Sequence, residues 1–396
     1  MSQAAATIED AKAEIFKVID ARAGTLLDIS HNIWQHPELC FEEHFAHDLL
    51  CDTLAEEGIS VERGACDLPT AFVAEAGSSG PTIAIVCEYD ALPGIGHACG
   101  HNIIAAAGLG AGLALAGLAE KLGGRVRILG TPAEEGGGGK VFMINNGAFD
   151  DLDAAMMVHP ANRELLYMSS LAVSTVRATY TGKASHASAA PEAGRNALDA
   201  AVQGYTAVAA LRQHIRDNER VHGIFTDGGA KPNVVPARAE TLWFVRSPDS
   251  TGLNALEERV TCCLQAGADS AGCEVDFSSA DMPPYDAIRG NSALSALYMS
   301  NASRVGRHPI DPQQQARVSG STDMGNVSQV VPSIHPMIKV SPEDVPIHTP
   351  EFAQHTSSSS GDAAVLDGAK MLAATALDLW LDEENLEAVK AAFSTQ

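Results

Sequence analysis

Three apolar runs, Thr82 to Cys87, Arg125 to Leu129 and Asp153 to Val158, each lead within a few residues to groups that can bind metal or move protons: Glu88 and Asp90, Glu134 and Glu135, and His159. Runs of this length and composition predict buried strands. Helical patterns separate them, a small-residue helix over Ile103 to Leu122 and a short one after the Gly136 to Gly139 run. Upstream lie an N-terminal helix through Ile29 and an amphipathic helix, ending at Gly58, with Phe45, Leu49, Leu50 and Leu54 on one side. The alternation predicts an α/β sheet with helical crossovers. Parallel strands end at one edge of such a sheet and ligands collect there, so the three loaded segments should converge.

A second rhythm starts near Ala172: strand Val173 to Tyr180, helix Arg195 to Gln213, strands Val221 to Thr226 and Glu240 to Val245, helix Leu253 to Gln265, strand Cys273 to Phe277. The order βαββαβ predicts a ferredoxin-like open sandwich. Residues 172–284 are therefore expected to form an inserted domain with Met282-Pro283-Pro284 as the return linker. Residues 1–171 and 285–396 should make up the first domain, whose final helix runs from Gly361 to about Leu381 after the serine run Ser357 to Ser360. A chain of 396 residues is long enough for two such cores.

Charge narrows the partners. Fifty acidic and 26 basic residues give a net charge of −24, which argues against nucleic acid or an anionic membrane. Met1 to Asp20 carries acids and lysines where a signal peptide needs an apolar core, and no apolar run is read as approaching the ~20 residues of a membrane span. A cytoplasmic protein is expected. The eight cysteines are scattered and form no CxxC pair, so neither a disulfide scaffold nor a zinc ribbon is expected. Most read as reduced core residues, Cys262 and Cys263 among them because they sit in a helical pattern.

The densest chemistry is His97-Ala98-Cys99-Gly100-His101-Asn102, three possible metal ligands in five positions. A thiolate, two imidazoles and nearby carboxylates suit zinc or a similar ion, against the plainer reading of a buried Cys between two solvent-facing histidines. In Thr131-Pro132-Ala133-Glu134-Glu135-Gly136 adjacent side chains diverge, so one carboxylate can bind metal while the other serves as a general base. The alternative is a pair of acids favoured by the dipole of the following helix. The Gly136 to Lys140 stretch is no phosphate loop, because Glu134 stands where its first glycine belongs and Val141 follows Lys140. Gly108, Gly110 and Gly112 fit close helix packing, and no G-x-S-x-G elbow occurs. His348, in a proline-bracketed loop, and His355 compete as a further ligand. His186 belongs to the inserted domain, from which it reaches substrate if that domain forms a lid. His31, His36, His44 and His47 follow a solvent-facing helical pattern and are assigned no chemistry.

At this point the chain resembles, over nearly its whole length, the di-metal amidohydrolases and metallopeptidases that include carboxypeptidase G, aminoacylases, auxin-conjugate hydrolases and aminobenzoyl-glutamate hydrolases. The matching pieces are Glu88-Tyr89-Asp90-Ala91-Leu92-Pro93, His97 to Asn102, Thr131 to Gly136, Val158-His159-Pro160, Gly182 to His186, Pro232-Asn233-Val234-Val235-Pro236, Ser319 to Asp323, and Ile347-His348-Thr349-Pro350. The resemblance implies a di-zinc-peptidase-like catalytic domain with a mixed sheet and an inserted lid domain that usually dimerises. It implies Cys99, His101, Glu135, His159 and His348 as ligands of two divalent ions, zinc or alternatively manganese, with Cys99 bridging. Glu134 would be the general base, Asp90 would orient the ligands, and His186 and Asn233 would bind substrate or the oxyanion, His186 often from the partner subunit. Two departures stand out: Glu88 where many relatives have a metal-binding His, and Asn102 where much of the Cys-ligand branch has Asp. The second is similar to the aminobenzoyl-glutamate hydrolase and dipeptidase-like members.

The expected function is hydrolysis of the amide bond of an N-acyl or N-aroyl amino acid, or of a dipeptide, by metal-activated water with Glu134 as base. Two rivals are a Cys99-nucleophile amidase and a non-catalytic metal or amino-acid binding protein on the same scaffold. A carboxylate on the substrate would need Asn233, Arg195 or Arg317 as its partner.

Overall fold

Strand Thr82–Cys87 is buried at every position, because it lies inside a six-stranded sheet. The sheet order is Val61–Arg63, Phe72–Ala76, Arg125–Gly130, Thr82–Cys87, Ala154–Met156, Ser333–Ile334. The last four strands run parallel; the first two are antiparallel and escaped the sequence reading, so the sheet is mixed. The structure, a computed structural model, describes residues 3–279, 282–311 and 319–395. It divides into two compact units, Met1–Ser169 with Ile288–Gln396, and Ser170–Ala287.

Helix His101–Leu122 fills the core of the first unit. A Cβ on Gly108 would lie 2.6 Å from Cys87 Sγ, on Gly110 2.7 Å from Leu26 Cδ1, and on Gly112 2.5 Å from Ile128 Cδ1. These glycines let the helix approach the sheet and its neighbours closely. By length and composition the same helix could cross a membrane, contrary to the expectation that no run approaches a span. Its most apolar window is 89% buried inside the protein, so its hydrophobic surface is already covered.

Several boundaries differ from the expectation. The N-terminal helix is two, Gln3–Ala21 and Ala23–Gln35, broken at Arg22, whose backbone leaves the helical region. Helix Ser359–Leu381 is not the last, because Asp382 takes the N–H groups of Glu384 and Asn385 and starts another, Glu383–Ser394. The run to Val158 ends as a strand at Met156, and His159–Ala161 pairs instead with Met337–Lys339. Pro336, which has no N–H, separates the two pairings. His47 is buried against Phe72, not solvent-facing, since helix His44–Glu56 turns Ala46, His47, Leu50, Cys51 and Leu54 inward and leaves Phe45 out. Cys262 is exposed, not core.

The second unit follows the βαββαβ order: Ala172–Thr181, Ala197–Leu211, Arg220–Asp227, Arg238–Ser247, Ser250–Ala271, Glu274–Ser278. Its all-antiparallel sheet runs last, first, third, second, the ferredoxin-like arrangement. The two helices pack on each other and on one sheet face around Trp243, Tyr180 and Leu264.

Candidate metal centre

The site lies where the parallel strands end. Glu88 and Asp90 leave Thr82–Cys87, and the segment to Glu134 and Glu135 leaves Arg125–Gly130, its Thr131 N–H bonding the Cys87 carbonyl at 2.8 Å. Between them Gly100, at φ 84°, turns the chain into the helix that begins at His101. A Cβ at Gly100 would sit 2.8 Å from Pro160, so glycine allows Cys99 and His101 to close on the His159 segment. His348 arrives from the far end of the chain. Its N–H bonds the Ala98 carbonyl at 2.8 Å, while Thr349 caps helix Pro350–His355, with Pro350 in the first turn, and fixes the loop.

These segments bring seven expected residues together. Cys99 Sγ lies 3.3 Å from His159 Nε2, and His101 Nε2 lies 3.9 Å from both Glu134 Oε2 and Glu135 Oε1. His348 Nε2 is 3.5 Å from Glu135 Oε1. Asp90 accepts from His101 Nδ1 at 2.9 Å and, through its other oxygen, from the Glu135 N–H at 2.9 Å. Three groups have donor atoms mutually within 4.8 Å: Cys99, His101 and His159; Cys99, Glu135 and His348; His101, Glu134 and Glu135. Cys99, His101 and Glu135 each belong to two. His97 and His355 belong to none of these groups.

The charges suit divalent cations. Burial, then Glu88 and Glu135, push the Glu134 carboxyl well above its ordinary range, and burial with Glu135 does the same to the Cys99 thiol. Burial opposes ionisation of Asp90, yet His101 holds it down to about 2. His159 Nδ1 meets the Pro160 carbonyl at 2.7 Å, which accepts only, so the proton sits on Nδ1 and Nε2 offers its lone pair. Burial opposes a charge on His101, yet Asp90, which fixes the ring through Nδ1, and Cys99 push its pKa well above the ordinary range, so an ion held at Nε2 would displace a proton. That buried Nε2 and Glu135 Oε1 have no hydrogen-bond partner among the described residues. Orphaned donors of this kind, with a thiol, imidazoles and carboxylates, fit zinc or a similar ion.

His186 and Asn233 lie in the second unit. His186 bridges to Val234, the Ala187 N–H bonds the Asn233 carbonyl at 3.1 Å, and both side chains are exposed. His186 Nδ1 faces the N–H groups of Ser188 and Ala189 at 3.3 and 3.2 Å. It accepts there, so the neutral ring carries its proton on Nε2. Arg195 pairs its backbone with Lys183 in the same unit; Arg317 lies outside the described residues.

Sequence reasoning missed several neighbours. His335 leaves the fourth parallel strand at the same edge, is buried, and packs on His159 at 5.1 Å between ring centroids; the short apolar run before it was the available signal. Lys140, met only in rejecting a phosphate loop, is fully buried with Nζ 2.7 Å from Glu88 and 2.6 Å from Asp323. Glu43 and Cys40 reach Ala133 and Asp90 from a loop without any motif read there.

Comparison with known proteins gives concordant results. The sequence profile of Peptidase family M20/M25/M40 matches residues 84–378. The chain is 40% identical over 410 residues to the Xaa-Arg dipeptidase of Mus musculus, covering 99% of this chain and 94% of that protein. It is 30% identical over 451 residues to one of the subunits of the p-aminobenzoyl-glutamate hydrolase of Escherichia coli K12, covering 94% of each. Among solved structures, a Bacillus subtilis dinuclear metal-binding peptidase of the M20 family shares the fold, with a TM-score of 0.69 at 21% identity over 91% of this chain and 99% of that one.

Proposed function

The chain belongs to peptidase family M20/M25/M40, and from that premise we propose that it is a dipeptidase whose Cys99, His101, Glu135, His159 and His348 hold two divalent ions. The observation that carries this reading is the pair of donor groups, Cys99 with His101 and His159 and Cys99 with Glu135 and His348, that share one thiol. When bound, the ions acidify water toward a pKa of ~7 and polarise a carbonyl. Glu134 then takes the proton released on attack and passes it to the leaving amine. Asp90 keeps His101 in the tautomer that presents Nε2. His186, with Nε2–H as its only donor, is suited to a developing oxyanion, and Asn233 stands on the adjacent segment. Zinc is the preferred metal and manganese the alternative.

The whole-length likeness to an Xaa-Arg dipeptidase favours dipeptides with a basic C-terminal residue. A net charge of −24 attracts such substrates. The second reading is aminobenzoyl-glutamate, supported by the Escherichia coli relative; Asn102 is in keeping with either. We place the enzyme in the cytoplasm, where eight free cysteines persist. We assign it a homodimer through the second unit, whose edge strand Arg220–Asp227 exposes Ile224 and Phe225. The test is metal analysis of purified protein followed by assays on dipeptides, N-acyl amino acids and aminobenzoyl-glutamate. Fastest cleavage of Xaa-Arg or Xaa-Lys supports the first reading, preference for aminobenzoyl-glutamate supports the second, and no amide hydrolysis with any metal defeats both.

A further inference from the structure

We propose that Glu43 is a positioning residue for Glu134: its carboxylate locks the left-handed backbone at Ala133 from which the Glu134 side chain projects. The proposal rests on reading Glu134 as the base. Ala133 has φ 60°, a region that L-residues rarely occupy unless the surroundings enforce it. Here both sides of the residue are pinned. Its carbonyl accepts from the N–H groups of Gly137 at 3.0 Å and Gly138 at 2.7 Å, and its own N–H donates to Glu43 Oε1 at 2.9 Å. Glu43 is distant in sequence and fully buried.

The same carboxylate is itself held at two further points. Oε1 also accepts from the Phe41 N–H at 2.9 Å, and Oε2 accepts from Thr70 Oγ1 at 2.8 Å. The Thr70 carbonyl takes the hydroxyl of Tyr89, the residue between Glu88 and Asp90. A Cβ at Gly137 would lie 2.5 Å from the Phe41 ring, so the loop carrying Glu43 closes directly on the turn that follows the two glutamates. Glu135 is anchored separately, through its N–H on Asp90. Loss of the Glu43 bond therefore frees the Pro132–Ala133 peptide, and with it the backbone torsion at Ala133 that aims Glu134, while Gly137 and Gly138 still hold the Ala133 carbonyl and Asp90 still tethers Glu135.

Reach and charge can be separated by substitution. Gln keeps the reach, since its carbonyl can accept both backbone N–H groups while its amide donates to the Thr70 hydroxyl, which can accept. Asp keeps the carboxyl group but is shorter by one methylene, roughly 1.5 Å. A displacement of that size at a reacting group lowers turnover by about 10²-fold.

The experiment uses metal-loaded enzyme and a dipeptide that the parent cleaves. Glu43→Gln is expected to keep kcat within about threefold, and Glu43→Asp to lose about 10²-fold in kcat with KM and metal content per chain unchanged. The double variant Glu43→Asp with Glu134→Ala should be no slower than Glu134→Ala alone, because a misplaced base that is already absent costs nothing further. Parental kcat in Glu43→Asp, equal damage in Glu43→Gln, or full additivity in the double variant overturns the proposal. Parental turnover in Glu134→Ala would instead remove the base assignment, and the role of Glu43 with it, a distinct pattern. If Glu43→Asp does not fold, Thr70→Val takes its place: a kcat lowered several-fold at constant KM supports the proposal, and an unchanged kcat overturns it.

Discussion

Asp90 and His101 are joined by a 2.9 Å contact between a carboxylate oxygen and Nδ1, and both side chains are buried. The carboxylate can only accept, so it fixes the ring with Nε2 toward Cys99, Glu134 and Glu135, the atom that would bind an ion on losing its proton. Asp90→Ala should lower metal affinity by about 10–100-fold, measured by competition with a chelating indicator. Parental affinity would show that the ring orientation is set elsewhere.

Metal removal separates the rival chemistries. Chelation should abolish hydrolysis, and zinc or manganese should restore it, because Cys99 shares its donor groups with histidines and carboxylates. Activity that survives chelation but not thiol alkylation points to a Cys99 nucleophile. A binding protein on this scaffold would turn nothing over in either state.

Lys140 neutralises two buried carboxylates, Glu88 and Asp323, at 2.7 and 2.6 Å. Lys140→Met leaves both without their cation and should cost about 3–5 kcal/mol in stability. Urea unfolding at an unchanged m-value gives the difference. A loss under about 1 kcal/mol would mean that the carboxylates are not held as ions.

Burial pulls His335 down to about 4, against an ordinary value near ~6.5 in the unfolded chain. The folded protein therefore binds fewer protons between those values. The stability this group contributes is complete above the unfolded pKa and is lost as pH falls toward the folded one. Between pH ~7 and ~4 the metal-free parent should lose about 3 kcal/mol more than His335→Phe, read from denaturant midpoints at each pH. Parallel losses in the two proteins would place the acid-sensitive group elsewhere.

The legible parts of this protein were those with local periodicity. Thr82–Cys87 declares itself by an unbroken apolar run, and the βαββαβ unit by alternating periods. Val61–Arg63, at the sheet edge, and Phe72–Ala76 beside it did not, because strands this short carry too few residues to show alternation. His97, Cys99 and His101 look equivalent in sequence; the turn at Gly100 brings Cys99 and His101 into the donor groups and leaves His97 buried outside them. Glu43 and Lys140 were silent because their partners, Ala133 and Asp323, are distant in sequence. Nothing short of the fold reveals such bonds.

The most direct test of the account is the turnover of Glu134→Gln beside the parent enzyme, with metal content measured on the same samples. The prediction is an unchanged metal content and a kcat lower by at least about 10²-fold. Near-parental turnover with the ions still bound would contradict the assignment of Glu134 as the base and the hydrolytic mechanism built on it.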